Sequence, residues 1–238
     1  MAERPIFVPS LDAPGLVKVV NFDIPWASGF AAVQKQKNIS ALHAAANSAG
    51  FSPLLEISTK SQEKAGQHLS AFHLKVRSEL GDIPLENAFQ GSKVFEHGGP
   101  FTDLLTSDPR SAKRDPRLQE SGRLIAFEFE GNEFPLQPTT VFYDWLYLNA
   151  IWPHREWLRD RIDGSKNRYA GFTDIEFNPN KSINCQAKSC ALFVSLMRLG
   201  ELDEAIATSG SFIAMMKERS IRKSSAVQQQ PGQMNLID

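Results

Sequence analysis

The chain has 238 residues, 42% of them hydrophobic and 22% charged, which is enough apolar surface to fill a sizeable core without covalent staples. Twenty-six basic against 27 acidic side chains leave a net charge of −1, so bulk electrostatics do not mark a nucleic-acid binder, although local patches remain open. Apolar stretches are broken by charge or proline well before the roughly 20 residues a bilayer span needs, and Met1-Ala2-Glu3-Arg4-Pro5 lacks the pattern of a secretory signal; no membrane association and a cytoplasmic location are expected.

Ile6-Phe7-Val8 and the run 16–22 read as strands around the turn-forming Asp12-Ala13-Pro14-Gly15. A helix is expected over 38–48, with Ile39, Leu42, His43 and Ala46 on one face and Gly50 as its stop, followed by a strand at 54–58. This βαβ-like opening has no glycine-rich turn and so does not suggest a dinucleotide fold. The polar stretch 59–68 marks a surface connection or a small domain boundary, dividing an N-terminal accessory segment (1–64) from a main domain (65–222). Residues 69–76 read as extended. Pro84 precedes an expected helix over 85–95, closed by His97-Gly98-Gly99-Pro100, and a further helical piece is expected at 101–106. The Ser-, Pro- and charge-rich 107–117 looks solvated. Residues 123–130 alternate at period two as a half-buried strand turned by Gly131-Asn132. Helices are expected over 139–151, 154–163, 184–199 and 203–222, and the Gln-rich residues 223–238 are expected to be disordered. The fold class is α+β, predominantly helical around the site, with a small β-sheet.

Cys185 and Cys190 stand five positions apart, about 140° around a helix axis, and are expected to be free thiols. The scattered histidines (43, 68, 73, 97 and 154) form no zinc-ligand pattern, so no metal is expected.

Three constellations carry candidate chemistry. On the expected helix 85–95, Glu86, Gln90, Lys93 and His97 form one polar stripe among Phe89, Val94 and Phe95. Glu86 and Lys93 would lie on the order of 10 Å apart along the axis, too far for an ideal ion pair but suited to flanking a small substrate. A carboxylate and an amine converging on a pocket, or a solvated helix face, both fit that spacing. In the stretch 172–184, acid and amide side chains bracket a helix N-terminus, which can receive phosphate or a sugar hydroxyl or be capped by Asn180, Ser182 or Asn184. Tyr143, Trp145 and Tyr147 are spaced as core aromatics or as a stacking platform. Basic side chains at Lys35, Lys37, Lys60 and Lys64, and at Arg110, Lys113, Arg114 and Arg117, are placed to hold phosphates or to solvate the surface.

Leu69-Ser70-Ala71-Phe72, followed by Glu86-Asn87-Ala88-Phe89-Gln90-Gly91-Ser92-Lys93-Val94-Phe95, resembles the paired signature of the NADAR superfamily, roughly L-S-N-F and then E-H-x-x-Q-x-x-K-F. Asp174 and the helix near Asn184 resemble its later acidic and Asn-containing elements. With 34–39 and 56–61, the chain is similar over about 4–200 to the branch paired with DarT-type toxins. Ala71 and Asn87 depart from the signature, where Asn and His are usual; Asn184 or His73 are the neighbours placed to substitute.

The resemblance implies an N-glycosidase that removes ADP-ribose from guanine in DNA, with no cofactor, releasing ADP-ribose and acting as antitoxin to a DarT-type toxin. It implies Lys93 as a nucleophile that forms a Schiff base, Glu86 as the carboxylate that stabilises an oxocarbenium ion or moves a proton, and Asp174 as the group that positions water or ribose hydroxyls. Substrate binding would fall to Lys60, Ser70, Phe72, Phe89, Gln90, Trp145 and Asn184. DNA phosphates would meet Lys35, Lys37, Arg114 and Arg117. Two other readings stay open: an N-glycosidase on riboflavin-pathway intermediates, and a non-catalytic antitoxin that binds the toxin or ADP-ribose.

Overall fold

A computed structural model describes residues 1–165 and 167–226. The chain begins with a hairpin of β1 (Ala2–Pro9) and β2 (Val17–Ile24), paired from Ala2↔Ile24 to Pro9↔Val17. Helix α1 (Ala32–Ser48) leads into β3 (Leu54–Glu56). A strand from far along the chain, β9 (Gly171–Thr173), lies between β1 and β3, antiparallel to the first and parallel to the second, giving the order β2-β1-β9-β3. The expected βαβ-like opening is therefore present with two strands inserted between its ends.

After the short α2 (Lys64–His68), β4 (Lys75–Ser78) and β5 (Gly81–Pro84) form a hairpin that runs directly into α3 (Leu85–Gly91). The strand β6 (Lys93–Phe95) pairs with β7 (Leu124–Phe129), which turns through Gly131 into β8 (Asn132–Phe134). Between β6 and β7 lie a 3-10 segment (Thr102–Thr106) and the short helices α4 (Pro109–Lys113) and α5 (Arg117–Glu120). Helix α6 (Val141–Ile151), the single turn α7 (Arg155–Leu158), α8 (Gln186–Leu199), α9 (Leu202–Ile206) and α10 (Ser209–Ala226) complete an α+β fold. No helix among the described residues is long and apolar enough to cross a membrane.

Helix α8 is the centre of the main core. Ala191, Leu192, Phe193, Val194 and Leu196 are all buried, in one cluster with Leu16 and Phe172 from the N-terminal sheet side and Phe142, Leu146 and Tyr147 of α6. A helix apolar on so many sides has to be surrounded by protein, and α8 packs on β1, β9 and α6. A smaller cluster of Ile6, Ile24, Leu42, Ala46 and Leu54 fastens α1 to the sheet. Two buried oxygens tie the layers together. Ser195 Oγ accepts from the Ser10 amide at 3.1 Å and donates to the Leu16 carbonyl at 2.7 Å, and Tyr147 Oη donates to the Leu69 carbonyl at 2.8 Å.

Four expectations are corrected. The helix expected over 85–95 stops at Gly91 because 93–95 is drawn into pairing with β7; at Gly91 itself a Cβ would come within 2.9 Å of Leu105. Only 75 and 76 of the expected extended stretch 69–76 are strand, as the start of β4; 69–74 is a turn closed by amide donation from His73 and Leu74 to the Ser70 carbonyl. Asn180, Ser182 and Asn184 do not cap α8, whose N-cap is Cys185 with no side-chain hydrogen bond. The expected 203–222 helix is broken in two, with Thr208 Oγ1 accepting from the Ser211 amide at the start of α10. That helix runs to Ala226, and the rest of the expected disordered tail lies outside the described residues.

Substitution Ser195→Ala strands the Ser10 amide and the Leu16 carbonyl. It should cost about 2 kcal/mol in urea denaturation. A loss under about 0.5 kcal/mol, the range of an ordinary surface change, would show that water replaces the hydroxyl.

Candidate active site

Because α3 ends before Lys93, the polar stripe is built from a helix and a strand rather than from one helix. The two ends are joined by an amide. Lys93 Nζ donates to Gln90 Oε1 at 2.6 Å, and Gln90 Nε2 donates to Glu86 Oε1 at 2.7 Å. A lysine can only donate and a carboxylate can only accept, so the Gln90 amide has one orientation that satisfies both neighbours. Lys113 Nζ, from α4, approaches Glu86 Oε1 at 3.7 Å. Lys93 Nζ also stands 5.0 Å above the Phe89 ring, a cation–π contact. Burial lowers the Lys93 pKa; Glu86 opposes the shift and Lys113 adds to it.

A second group of polar side chains is assembled at the end of β9. Glu56 is almost fully buried and accepts three hydrogen bonds: from Ser58 Oγ (2.7 Å), Thr173 Oγ1 (2.6 Å) and the Ile175 amide (2.9 Å). Thr173 Oγ1 spends its proton on Glu56, so His43 Nε2, 2.9 Å away, is the donor in that contact. Burial pushes the His43 pKa down to about 4. Asp174 follows in sequence, accepting from the Glu176 amide at 3.0 Å and from the Gln186 side chain. The Cys185 thiol lies 4.0 Å from Asp174 Oδ2 and is itself pushed well up by burial. Desolvation first, and then the negative charge of Glu56, raise the Asp174 pKa to about 8. The Glu56 pKa is raised by burial as well. The two titrate as a pair, and the three donors aimed at Glu56 place the first negative charge there, so the proton stays on Asp174 near neutral pH.

Tyr143 links the two groups. Its ring meets Phe89 edge-on at 5.5 Å, and its phenol is pushed well above the ordinary range by burial and then by Cys185, Asp174, Glu86 and Asp144. Gln186 links the Leu69–Phe72 loop to the same place, since its Oε1 accepts from the Ala71 amide at 2.7 Å. Tyr143, Gln186 and Glu56 were not among the expected site residues. A tyrosine at i and i+4 (Tyr143, Tyr147) was visible, but only tertiary packing separates the one buried against the Leu69 carbonyl from the one set edge-on to Phe89.

The expected residues are thus partly brought together. Lys93, Glu86, Gln90 and Phe89 form one contact set, with the Tyr143 ring edge-on to Phe89, while Asp174 belongs to the second group. Ser70 is buried, with an Oγ that has no partner. Phe72 is 68% exposed on the same loop. Lys60 is half-buried, its amide held by Ser58 Oγ, and Asn184 is half-buried just before α8. Trp145 packs on Phe129 and Phe134 inside the aromatic cluster, its indole Nε1 buried without a partner. Of the cations expected to meet phosphates, Lys35 pairs with Glu176 at 3.1 Å, and Arg117 is clamped between Asp103 and Asp115, which raise its pKa. Lys37 and Arg114 are exposed.

The raised Asp174 pKa has a stability consequence of definite sign. The unfolded carboxyl ionises near 3.9 and the folded one near 8, so the folded state holds a proton that the unfolded state has released. The contribution is complete below about pH 3.9 and is lost as pH rises toward 8. Thermal melts at pH 5, 6, 7 and 8 should show the wild type losing stability relative to Asp174→Asn across that window. Parallel curves would mean that Asp174 is ionised throughout.

A family model described as the DarT1-associated NADAR antitoxin matches residues 2–226. No curated protein matches the chain. A match over nearly the whole length, with the E-x-x-x-Q-x-x-K residues in mutual contact, places the chain in the DarT1-associated NADAR antitoxin family.

Proposed function

We propose that the chain is an N-glycosidase that removes ADP-ribose from guanine bases in DNA, acting in the cytoplasm as antitoxin to a DarT-type toxin and needing no cofactor. The observation that carries this reading is a half-buried lysine whose pKa is lowered by desolvation and which is fixed through Gln90 to Glu86; Asp174, a carboxyl that keeps its proton around neutral pH, supplies the acid.

Each group has a place in the chemistry. The Lys93 amine attacks the anomeric carbon as the bond to the guanine nitrogen breaks. The bonding pair leaves with that nitrogen, which takes the proton of Asp174. The ring oxygen then departs from the anomeric carbon, taking a proton from the lysine nitrogen, and leaves a protonated Schiff base. Water adds to this carbon and returns a proton to Asp174. The resulting carbinolamine expels the lysine amine, giving ADP-ribose and free enzyme. Glu86 stabilises the positive charge that develops on the sugar, its own position set by Gln90 and Lys113. Tyr143 and Phe89 wall the site, the unpartnered Ser70 hydroxyl has a hydrogen bond to offer a ligand, and Lys60 and Asn184 serve the ribose and diphosphate.

Incubation with guanine-ADP-ribosylated single-stranded DNA, followed by mass spectrometry, tests the reading. Wild type should release ADP-ribose, Lys93→Ala should be at least a hundredfold slower, and borohydride should trap a substrate-dependent adduct on Lys93. Adduct-bearing DNA left intact by the wild type would overturn the activity. Release without trapping, undiminished in Lys93→Ala, would overturn the nucleophile.

A further inference from the structure

A cleft of about 880 Å³ opens beside the Leu69–Phe72 loop, between the β4–β5 hairpin and the segment from the end of α6 through α7. None of the residues assigned above to the reaction lines it. Its wall carries an unusual charge for a chain of net −1. On β4, Lys75 and Arg77 are exposed at period two, while Val76 between them is buried. Neither cation has an ion-pair partner among the described residues, and the one carboxylate in the lining, Asp82, stands opposite Arg77 on β5. Three of the chain's histidines, His68, His73 and His154, add polar edges. His73 Nδ1 donates to the Gln67 carbonyl at 2.8 Å, and His154 lines the cleft from beyond α6. The opposite rim holds Trp157, 45% exposed, with the Arg161 guanidinium 5.4 Å from its ring.

Unpaired cations in a row with an exposed aromatic ring beside them are the elements that bind single-stranded nucleic acid, the cations on phosphates and the ring under a base. The position also suits the site. Lys75 pairs with Pro84, and Leu85 and Glu86 follow at once, so the backbone distance from Lys75 to Glu86 is at most about 13 Å. That is a few nucleotides of a stacked strand, at about 3.4 Å each.

We propose that this cleft carries the single DNA strand flanking the modified guanine, with phosphates on Lys75 and Arg77 and a base on Trp157. The identity of the strand rests on the glycosidase reading; the anion- and base-binding character of the cleft does not. Its occupancy by single-stranded DNA would make the enzyme act on unpaired or flipped guanine, and it would give the protein a DNA surface that its overall charge conceals.

Fluorescence anisotropy with an unmodified labelled oligothymidylate tests the cleft, using the full chain, the double variant Lys75→Glu/Arg77→Glu, and Trp157→Ala. Both charge reversals sit on the exposed face of β4, and a thermal melt confirms that the fold is kept. The double variant should bind at least tenfold more weakly, with the slope of log K against log salt reduced by about 0.7 for each phosphate left without its cation. Trp157→Ala should weaken binding about fivefold or more without changing the slope. In parallel, the double variant should lose activity on an ADP-ribosylated oligonucleotide through a raised KM while retaining turnover of the ADP-ribosylated guanosine nucleoside. Unchanged oligothymidylate affinity and slope in the double variant would overturn the proposal and leave the cleft as a docking surface for protein. A wild type that cleaves neither substrate would overturn the glycosidase reading, and the anisotropy result would still decide the cleft.

Discussion

One buried carboxylate sets the geometry on which the site depends. Glu56 ends the strand β3 with almost no exposure to solvent, and a charge in that position is tolerated only with its lone pairs filled. The three donors that fill them come from different parts of the chain: Ser58 from the following loop, Thr173 from the end of β9 and the Ile175 amide from just beyond it. Thr173 in turn receives His43 from α1. Satisfying one carboxylate therefore fixes the register of β3 against β9, the packing of α1 on the sheet and the path of the chain into Asp174. The close fit extends behind it, since a Cβ on Gly66 would lie 2.0 Å from the Glu56 carbonyl, so α2 can pack here only with glycine at that position. The same charge that orders these elements adds to desolvation in holding a proton on Asp174.

The lysine side of the site is supported differently. Phe89, beneath Lys93, belongs to a run of rings through Phe127 and Phe142 to Phe134 and Trp145, with centroid separations of 4.7 to 6.2 Å. Such a cluster is rigid and dry, and both properties act on the amine. Rigidity keeps Nζ within reach of Gln90, and dryness disfavours the ammonium form, in the direction a nucleophilic amine requires. The fold thus holds two oppositely tuned groups: an amine made easier to deprotonate by apolar packing, and a carboxyl made harder to deprotonate by packing and a neighbouring charge.

Much of the architecture was legible because it is local. The β1–β2 hairpin, α1, β3, the β7–β8 turn and α8 follow from β-branched runs, helical periodicity and Gly stops; most of their ends stand close to expectation, while α1 starts at Ala32, six residues before the expected 38. Errors arose where a distant partner decides. Residues 85–95 carry a helical stripe, yet Gly91 packs against Leu105 and 93–95 pairs with β7, contacts that periodicity within the segment does not encode. The motif residues still meet despite this change because Gln90 spans the junction. The resemblance identified Lys93, Glu86 and Gln90, whereas Glu56, Tyr143 and Gln186 became visible only once β3, α6 and α8 met. The extended stretch was expected to end at Val76, so the basic face that Lys75 and Arg77 share on β4 was not read, and only the packing of α7 opposite turns that face into a cleft.

Two departures from the family signature, at Asn87 and Ala71, acquire a physical account in the fold. Asn87 is fully buried on α3 and donates through Nδ2 to the carbonyls of Leu104 and Ser107, at 2.7 and 2.8 Å. It therefore holds the 3-10 segment 102–106 against α3. That segment leads into α4, which carries Lys113 to within 3.7 Å of Glu86. The amide at this position acts on the carboxylate through the backbone it anchors. Ala71 offers no polar side chain, but its amide is the group that meets Gln186, and Gln186 also reaches Asp174. At both positions the connection to the acidic groups runs through main-chain atoms placed by buried amides. Losing either amide should therefore disturb the site by moving backbone, with no reacting group removed.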